Sequence, residues 1–133
     1  MKIKTLILFL LTSTFFVKDA YSQKSVIKMN AYYSAYSIKG NSERNVKECN
    51  ILMVWDYNKP SLTIYAKDIQ KYSIIDYKGK TFDSNGTGTM AFIAIDNEGT
   101  QCLINDDKEK DGTMKLYVFR KNFTICYYYK FED

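Results

Sequence analysis

The chain has 133 residues, with 19 lysine and arginine residues, 15 aspartate and glutamate residues and a formal net charge of +4. It contains no histidine, which excludes Ser-His-Asp and Cys-His catalysis and the usual histidine-containing zinc or iron sites. Charges of opposite sign alternate along the chain, as over Lys108–Asp111. A nucleic-acid-binding protein usually carries a basic stripe, so we expect no nucleic-acid partner.

The first 22 residues have the pattern of a secretory signal peptide. Lys2 and Lys4 precede the apolar stretch Thr5–Val17, and Ala20 and Ser22 are the small residues before the predicted cleavage point. A retained anchor would need about 20 predominantly apolar residues, so cleavage is the better interpretation. No cysteine follows the cleavage point, which argues against a lipoprotein. We expect a secreted or periplasmic protein without stable membrane insertion after cleavage.

Residues 23–133 are predicted to form a single all-β domain, because short β-branched and aromatic segments alternate with polar clusters. No segment shows a helical stripe bounded by caps. Consecutive strands joined by tight turns form an antiparallel meander, and about eight of them can close into a small lipocalin-like barrel. A two-sheet β-sandwich is the alternative. The predicted strands span Val26–Ile38, Asn50–Tyr57, Ser61–Ala66, Gln70–Tyr77, Thr89–Ile95, Thr100–Ile104, Thr113–Arg120 and Phe123–Phe131.

Polar clusters that contain glycine predict the turns. Asp83–Gly88 and Asp96–Gly99 place Asn, Asp and Gly where a chain reversal needs them, and we interpret Lys78–Lys80 and Asn105–Gly112 in the same way. Gly40–Glu48 is predicted to be a longer loop. The alternating oxygen donors at positions 83, 85 and 87 also suit a calcium loop, but the later bidentate glutamate is absent. The sequence therefore predicts hairpin turns, with no metal and no cofactor.

The three cysteines leave at least one thiol unpaired. One interpretation is a single disulfide in an oxidising compartment, with Cys102 and Cys126 as the suggested pair, and the other is that all three are buried free thiols. On the last predicted strand, Phe123 and Tyr129 lie on one face and Cys126 on the other. A strand that is apolar on both faces is predicted to be central or covered.

Tyrosines provide the candidate ligand-binding residues, because a tyrosine ring can stack on a sugar or line an apolar pocket while its hydroxyl makes a polar contact. Tyrosine is also a common strand residue that covers the rim of a β core, and this alternative stays open. The candidates lie near the two ends of the mature chain, at Tyr32, Tyr33, Tyr36, Tyr127 and Tyr129.

Paired carboxylates could act as acid and base on a glycoside. The candidates are Asp56, Asp68, Asp76 and Asp96. Most of them stand beside predicted turns or strand ends, where a carboxylate more often shapes the turn. We therefore predict that the protein is not an enzyme, with no catalytic residues, and keep a small carboxylate-based glycoside hydrolase as an alternative.

Several short motifs carry a resemblance to known proteins. They are Leu62–Tyr65, Tyr72–Ile75, the turn Ile95–Gly99 followed by Cys102, and Leu116–Val118 before the tyrosine-rich last strand. In this order they resemble small secreted, functionally uncharacterised β-rich proteins of Bacteroidetes-type bacteria. The resemblance covers roughly half of the mature chain and its motifs are structural. It implies a β fold and export, and no particular activity.

The sequence thus favours an exported, non-catalytic binding protein of unknown ligand. It would hold a small ligand in the barrel mouth or present its surface to a protein partner. A small barrel can be filled by its own side chains, and in that case the surface tyrosines become the expected contact. An inhibitor of a secreted enzyme is a further alternative, with Gly40–Glu48 as its protruding loop.

Overall fold

A computed structural model describes residues 25–39 and 44–132, and the predicted signal peptide lies outside these residues. The described residues form strands and turns, and no helix among them is long and apolar enough to cross a bilayer. The strands are β1 Val26–Ile38, β2 Asn45–Asp56, β3 Ser61–Tyr65, β4 Ile69–Phe82, β5 Gly88–Ile95, β6 Gln101–Lys108, β7 Met114–Phe119 and β8 Phe123–Phe131.

The eight strands form one closed antiparallel barrel in the order of the chain. Each strand pairs with the next, and β1 also pairs with β8, from Met29 opposite Phe131 to Ile38 opposite Phe123. The predicted all-β meander barrel is therefore confirmed, and the two-sheet sandwich is not the fold. Closure follows from the short polar turns, because successive hairpins leave only the first and last strands to be joined.

The barrel interior is filled by large side chains. Alternation along each strand sends every second residue inward, as in β3, where Leu62 and Ile64 are fully buried. The ring centroids of Trp55 and Phe92 lie 5.2 Å apart within this core. The largest fully buried side chains belong to Met29, Met53, Leu62, Ile64, Tyr72, Phe92, Ile104, Leu116, Val118 and Tyr129.

The barrel has two rims that differ in their residues. Strands β1, β3, β5 and β7 end at one rim, which we call the Arg120 rim after the residue that follows β7. The other strands end at the opposite rim, which we call the Asp106 rim after a buried residue of β6. The buried carboxylates of Asp96 and Asp106 lie toward these two rims, with Asp96 directly after β5 and Asp106 near the end of β6.

The predicted turn at Lys78–Lys80 is wrong, because these residues belong to β4. The pairing of β4 with β5 shifts between Tyr77 and Gly79, and Gly79 has a φ of 114°. A glycine at positive φ inside a strand produces a β-bulge, which resembles a turn in the sequence. A turn and a bulge are distinguished here only by the pairing with β5, which resumes after Gly79.

A second register shift in β4 brings Tyr77 to the barrel interior. The register slips between Ile74 and Asp76, so Ile75 faces outward and is 38% exposed. Regular alternation would place Tyr77 on the face of Ile75, but its ring lies 5.2 Å from Phe92 inside the barrel. The extra residue of a bulge reverses the alternation that follows it.

Two more predicted boundaries are wrong. Asn45–Glu48, expected to be part of a loop, belongs to β2, and residues 40–43 lie outside the described residues. Asn105–Lys108, expected to be part of a turn, belongs to β6, and the turn itself spans Glu109–Thr113. Polar sequence predicted a turn at Asn105–Lys108, but this segment pairs with strands on both sides.

Candidate functional site

The five candidate tyrosines do not form one site. Tyr32 and Tyr33 lie on the outer surface, and Tyr36 lies at the Arg120 rim, where its ring centroid is 5.2 Å from that of Phe123. Tyr127 and Tyr129, in contrast, are buried in the barrel interior and help to fill it. The candidates therefore divide between surface and core positions.

A β-bulge explains why two consecutive tyrosines share the outer surface. The pairing of β1 with β8 shifts between Ala31 and Tyr33, which makes Tyr32 the extra residue on that side. On the other side, Cys49 and Asn50 of β2 lie across from the single residue Tyr32. Tyr33 is then directly opposite Tyr128 of β8. Consecutive strand residues normally face opposite sides of a sheet, and a bulge removes this constraint.

Tyr32, Tyr33 and Tyr128 form a mutual edge-to-face arrangement that we call the tyrosine cluster. The ring centroids are 5.5 Å apart for Tyr32 and Tyr33, 6.3 Å for Tyr33 and Tyr128, and 6.5 Å for Tyr32 and Tyr128. Edge-to-face pairs at these distances are favourable because the positive ring edge meets the negative ring face. The cluster is a preorganised aromatic surface, with Tyr33 39% exposed.

Two lysines flank the tyrosine cluster. The ammonium nitrogen of Lys115 lies 4.9 Å from the ring centroid of Tyr128, and that of Lys130 lies 5.4 Å from the ring of Tyr32. Lys115 also forms an ion pair of 3.3 Å with Glu109. Glu109, Lys115 and Tyr128 line a shallow depression next to the turn after β6. This part of the surface is aromatic and carries charges of both signs.

Beside the cluster, the outer face contains a covered patch. Cys126 and Ala35 are directly opposite each other on β8 and β1, and both are buried. Burial raises the pKa of Cys126 to about 11 and that of the neighbouring Tyr117 to about 12. β8 pairs with a strand on each side and is buried on both faces at Cys126 and Tyr127, which agrees with the prediction that this strand is central or covered.

A polar network crosses the interior near the Arg120 rim. The Tyr72 hydroxyl donates to Gln70 Oε1 at 2.7 Å, and Gln70 Nε2 donates to the Tyr127 hydroxyl at 3.4 Å. Arg120 Nη1 donates to the Tyr72 hydroxyl at 3.5 Å, and Nη2 donates to the Asp96 carboxylate. The network connects β4 and β8 with the residues that directly follow β5 and β7 at the Arg120 rim.

The charges in this network are matched. Backbone hydrogen bonds from Thr100 and Glu98 and the nearby Arg120 guanidinium lower the pKa of Asp96. Burial raises the pKa of Tyr72 to about 12, so its hydroxyl keeps its proton. Arg120 is thus paired with a carboxylate and lies over the Phe123 ring at 5.4 Å. Its charge is already compensated within the protein.

A second polar group lies inside the barrel near the Asp106 rim. The Tyr129 hydroxyl donates to Asp106 Oδ1 at 2.6 Å. Burial raises the pKa of Asp106 to about 7, and burial together with Asp106 raises that of Tyr57. The sequence offered one signal for this group, a carboxylate in register with inward residues, but Asn105–Gly112 was interpreted as a turn.

The four candidate catalytic carboxylates have separate surroundings. Asp56 accepts hydrogen bonds from the backbone of Asn58 and Lys59 in the turn after β2, and Asp96 has a similar role in the turn after β5. Asp76 forms an exposed ion pair with Lys78 at 3.7 Å, while Asp68 is exposed in the turn after β3. They are distributed over both rims and the outer surface.

The turn Asp83–Gly88, considered as a calcium loop, uses its oxygens internally. Asp83 Oδ1 accepts from the backbone of Ser84, and Asn85 Oδ1 accepts from the hydroxyl of Thr87 at 3.0 Å. Among the described residues, no group of three or more Cys, Asp or Glu side chains could hold a metal ion.

All three cysteines are free thiols in the structure. Cys102 is directly opposite the inward-facing Ala94, whereas Cys126 is directly opposite Ala35 on the outer face. The suggested pair is therefore separated by the sheet. Cys49 is half-buried and donates to the carbonyl oxygen of Ala31 at 3.5 Å.

Comparison of the chain with models of protein families, with curated proteins and with solved structures finds no match. The assignment of a role therefore rests on the residues and geometry described above.

Proposed function

We propose that this chain is an exported, non-catalytic interaction protein that binds a protein partner through the tyrosine cluster on its outer surface. Export is inferred from the signal-peptide pattern of residues 1–22. The resemblance to small secreted β-rich proteins agrees with this location. The contact surface comprises Tyr32, Tyr33 and Tyr128, with Lys115 and Lys130 at its margin.

The filled interior is the observation that carries this proposal. An eight-stranded barrel is just wide enough either to be filled by side chains or to hold one small ligand. Here Tyr72, Phe92 and Tyr129 are among the fully buried interior side chains, and the Arg120 network occupies one rim. A surface role needs no displacement of these groups, whereas an interior ligand would have to replace them.

The composition of the cluster favours a protein partner. Tyrosine is enriched among the residues that dominate binding energy at protein interfaces, because a large rigid ring loses little conformational entropy. Flanking lysines orient the partner and raise the association rate when the partner carries acidic groups. The inhibitor alternative needed a protruding loop at Gly40–Glu48, and four of these nine residues, Asn45–Glu48, are strand.

The test is affinity capture with matched variants. The mature protein is immobilised and exposed to the envelope and medium of its own host, and retained proteins are identified by mass spectrometry. The Tyr33→Ala, Tyr128→Ala double variant should retain the partner at least about tenfold less, because each interface hot spot contributes about 2 kcal/mol or more. Tyr65→Ala is the control, since Tyr65 is 46% exposed on β3, away from the cluster.

Equal retention by the double variant and the Tyr65→Ala control would contradict the proposal, provided that both unfold at the wild-type temperature. Native mass spectrometry adds an independent measurement of the interior. A bare monomer mass is expected. An additional mass that disappears on denaturation would instead favour the small-ligand alternative.

A further inference from the structure

Strand β2 is paired on both sides over only part of its length. β1 pairs with β2 from Asp56 to Asn45, whereas β3 pairs only with Leu52–Asp56. Within the described residues, Asn45–Ile51 therefore has a neighbouring strand on one side alone. The cause is the length of β3, which has five residues against twelve in β2. The closed barrel thus contains a local strand edge that leads to the Arg120 rim.

This edge is accessible and continuous with the tyrosine cluster. At 3.4 Å per residue it is about 20 Å long, and most of its residues are exposed, with Val46 58% exposed. Glu48 is directly opposite Tyr33 on the outer face, and Tyr33 is opposite Tyr128. A segment bound along the edge would therefore extend beside the cluster.

We propose that the Asn45–Ile51 edge binds an extended segment of the protein partner as an added β-strand. This inference rests on the proposed function, because it specifies how the same partner is held. The edge presents alternating backbone N–H and C=O groups that an extended polypeptide backbone can pair with. Side chains of the added strand would alternate between the outer face, beside Val46, and the opposite face, beside Cys49 and Ile51.

Charge at the edge argues against a second copy of this chain as the occupant. A two-fold dimer pairs a strand antiparallel with itself, so one residue faces its own copy. Full overlap of Asn45–Ile51 places Glu48 at that centre, and like charges directly opposite each other are destabilising. Charged residues on an edge are also a common protection against self-association. A partner of different sequence avoids this repulsion.

The first measurement is hydrogen exchange of individual backbone amides by NMR in the mature protein. Within Asn45–Ile51, amides that face β1 should exchange slowly and those that face the edge should exchange rapidly, in alternation. Slow exchange of every amide in a monomer would overturn the proposal, because another part of the chain would already cover the edge. Slow exchange only at concentrations that produce a dimer would identify a second copy as the occupant and would also overturn it.

The second measurement uses synthetic peptides selected against the mature protein from a phage-displayed library of random peptides. Binding should slow the rapid edge amides by at least about tenfold. Two methylated forms of each peptide provide the matched control. One form is methylated at the odd-numbered backbone nitrogens of the peptide and the other at the even-numbered ones. Only one of the two forms should bind at least about tenfold more weakly than the unmodified peptide, because only every second peptide amide faces the edge. Equal effects of both forms, or a library without binders, would overturn the proposal.

The same peptides separate this proposal from the proposed function. Peptides that lose affinity for the Tyr33→Ala, Tyr128→Ala variant but leave the edge amides rapid would support the tyrosine cluster and refute strand addition. Peptides that protect the edge amides and bind this variant as tightly as wild type would support strand addition. In that second case, unchanged partner capture by the variant would refute the cluster as the contact surface.

Discussion

Asp106→Asn tests the physical description of the barrel interior. The pKa of Asp106 is raised from 3.8 to about 7, mainly by burial and to a smaller extent by the charge of Asp107. The hydrogen bond from Tyr129 and the charge of Lys80 lower this pKa and partly offset the increase. Between these two pH values the folded protein keeps a proton that the unfolded chain has lost. The contribution of Asp106 to stability is therefore greatest below about pH 4, falls as the pH rises to about 7, and is then constant.

The magnitude follows from the two pKa values. The interval from 3.8 to about 7, at about 1.4 kcal/mol per pH unit, corresponds to about 4 kcal/mol of stability lost by the wild-type protein. Asparagine keeps an oxygen that can accept the hydrogen bond from Tyr129 but does not ionise. Relative to wild type, the free energy of unfolding of Asp106→Asn should therefore increase by about 4 kcal/mol from pH 4 to pH 8.

Urea unfolding across this pH range measures the effect, with fluorescence of Trp55 as the signal because it is the single tryptophan and is buried. Asp68→Asn is the control, since Asp68 is exposed in the turn after β3. Its difference from wild type should stay nearly constant with pH. If the difference between Asp106→Asn and wild type is equally constant, the reasoning about the buried carboxyl is wrong.

Three further predictions concern the core, the Arg120 network and the thiols. Phe92→Ala removes a fully buried ring and should lower the free energy of unfolding by about 3–5 kcal/mol. Phe82→Ala, at a ring that is 75% exposed, should change it by less than about 0.5 kcal/mol. Equal losses for the two variants in urea unfolding would contradict the assignment of Phe92 to the core. Arg120→Leu should destabilise the protein by about 1–3 kcal/mol, because it leaves the buried Asp96 carboxylate without its guanidinium partner. An NMR titration of this variant should show a higher pKa for Asp96 than in the wild-type protein. An unchanged pKa would refute the pairing of Arg120 with Asp96. Under native conditions a thiol reagent should modify the half-buried Cys49 before the two buried cysteines. Peptide mass spectrometry measures the order of modification. Simultaneous modification of all three thiols would contradict the prediction, because it would show that they are equally accessible.

Much of the fold could be predicted from the sequence. The alternation of polar and apolar residues and the Asn, Asp and Gly clusters identified eight strands, and the bounds of β1 and β8 agree with the prediction. These signals are local, because each depends only on neighbouring residues. The prediction was wrong where a local signal has two physical causes. The sequence around Gly79 suits both a turn and a bulge, and only its pairing with β5 shows the bulge.

The candidate site was predictable only in part. Tyrosines near the chain ends were identified as contact residues, but the sequence grouped Tyr127 and Tyr129 with Tyr32 and Tyr33 without distinguishing the interior from the surface. Tyr128, which completes the tyrosine cluster, lies between Tyr127 and Tyr129 in the sequence, and the alternation along β8 places it on the opposite face of the strand. The bulge in β1 that places Tyr32 and Tyr33 together depends on pairing with two other strands.

The sequence by itself determined the strand content, most of the turns and the absence of histidine chemistry, because these depend on composition and on the two-residue period of a strand. The tertiary structure decided three further features: the closure of β1 onto β8, the burial of Asp106 and the unpaired edge of β2. Each depends on which residues lie opposite one another across strands, and this register is set by the packing of the whole barrel, not by any one segment.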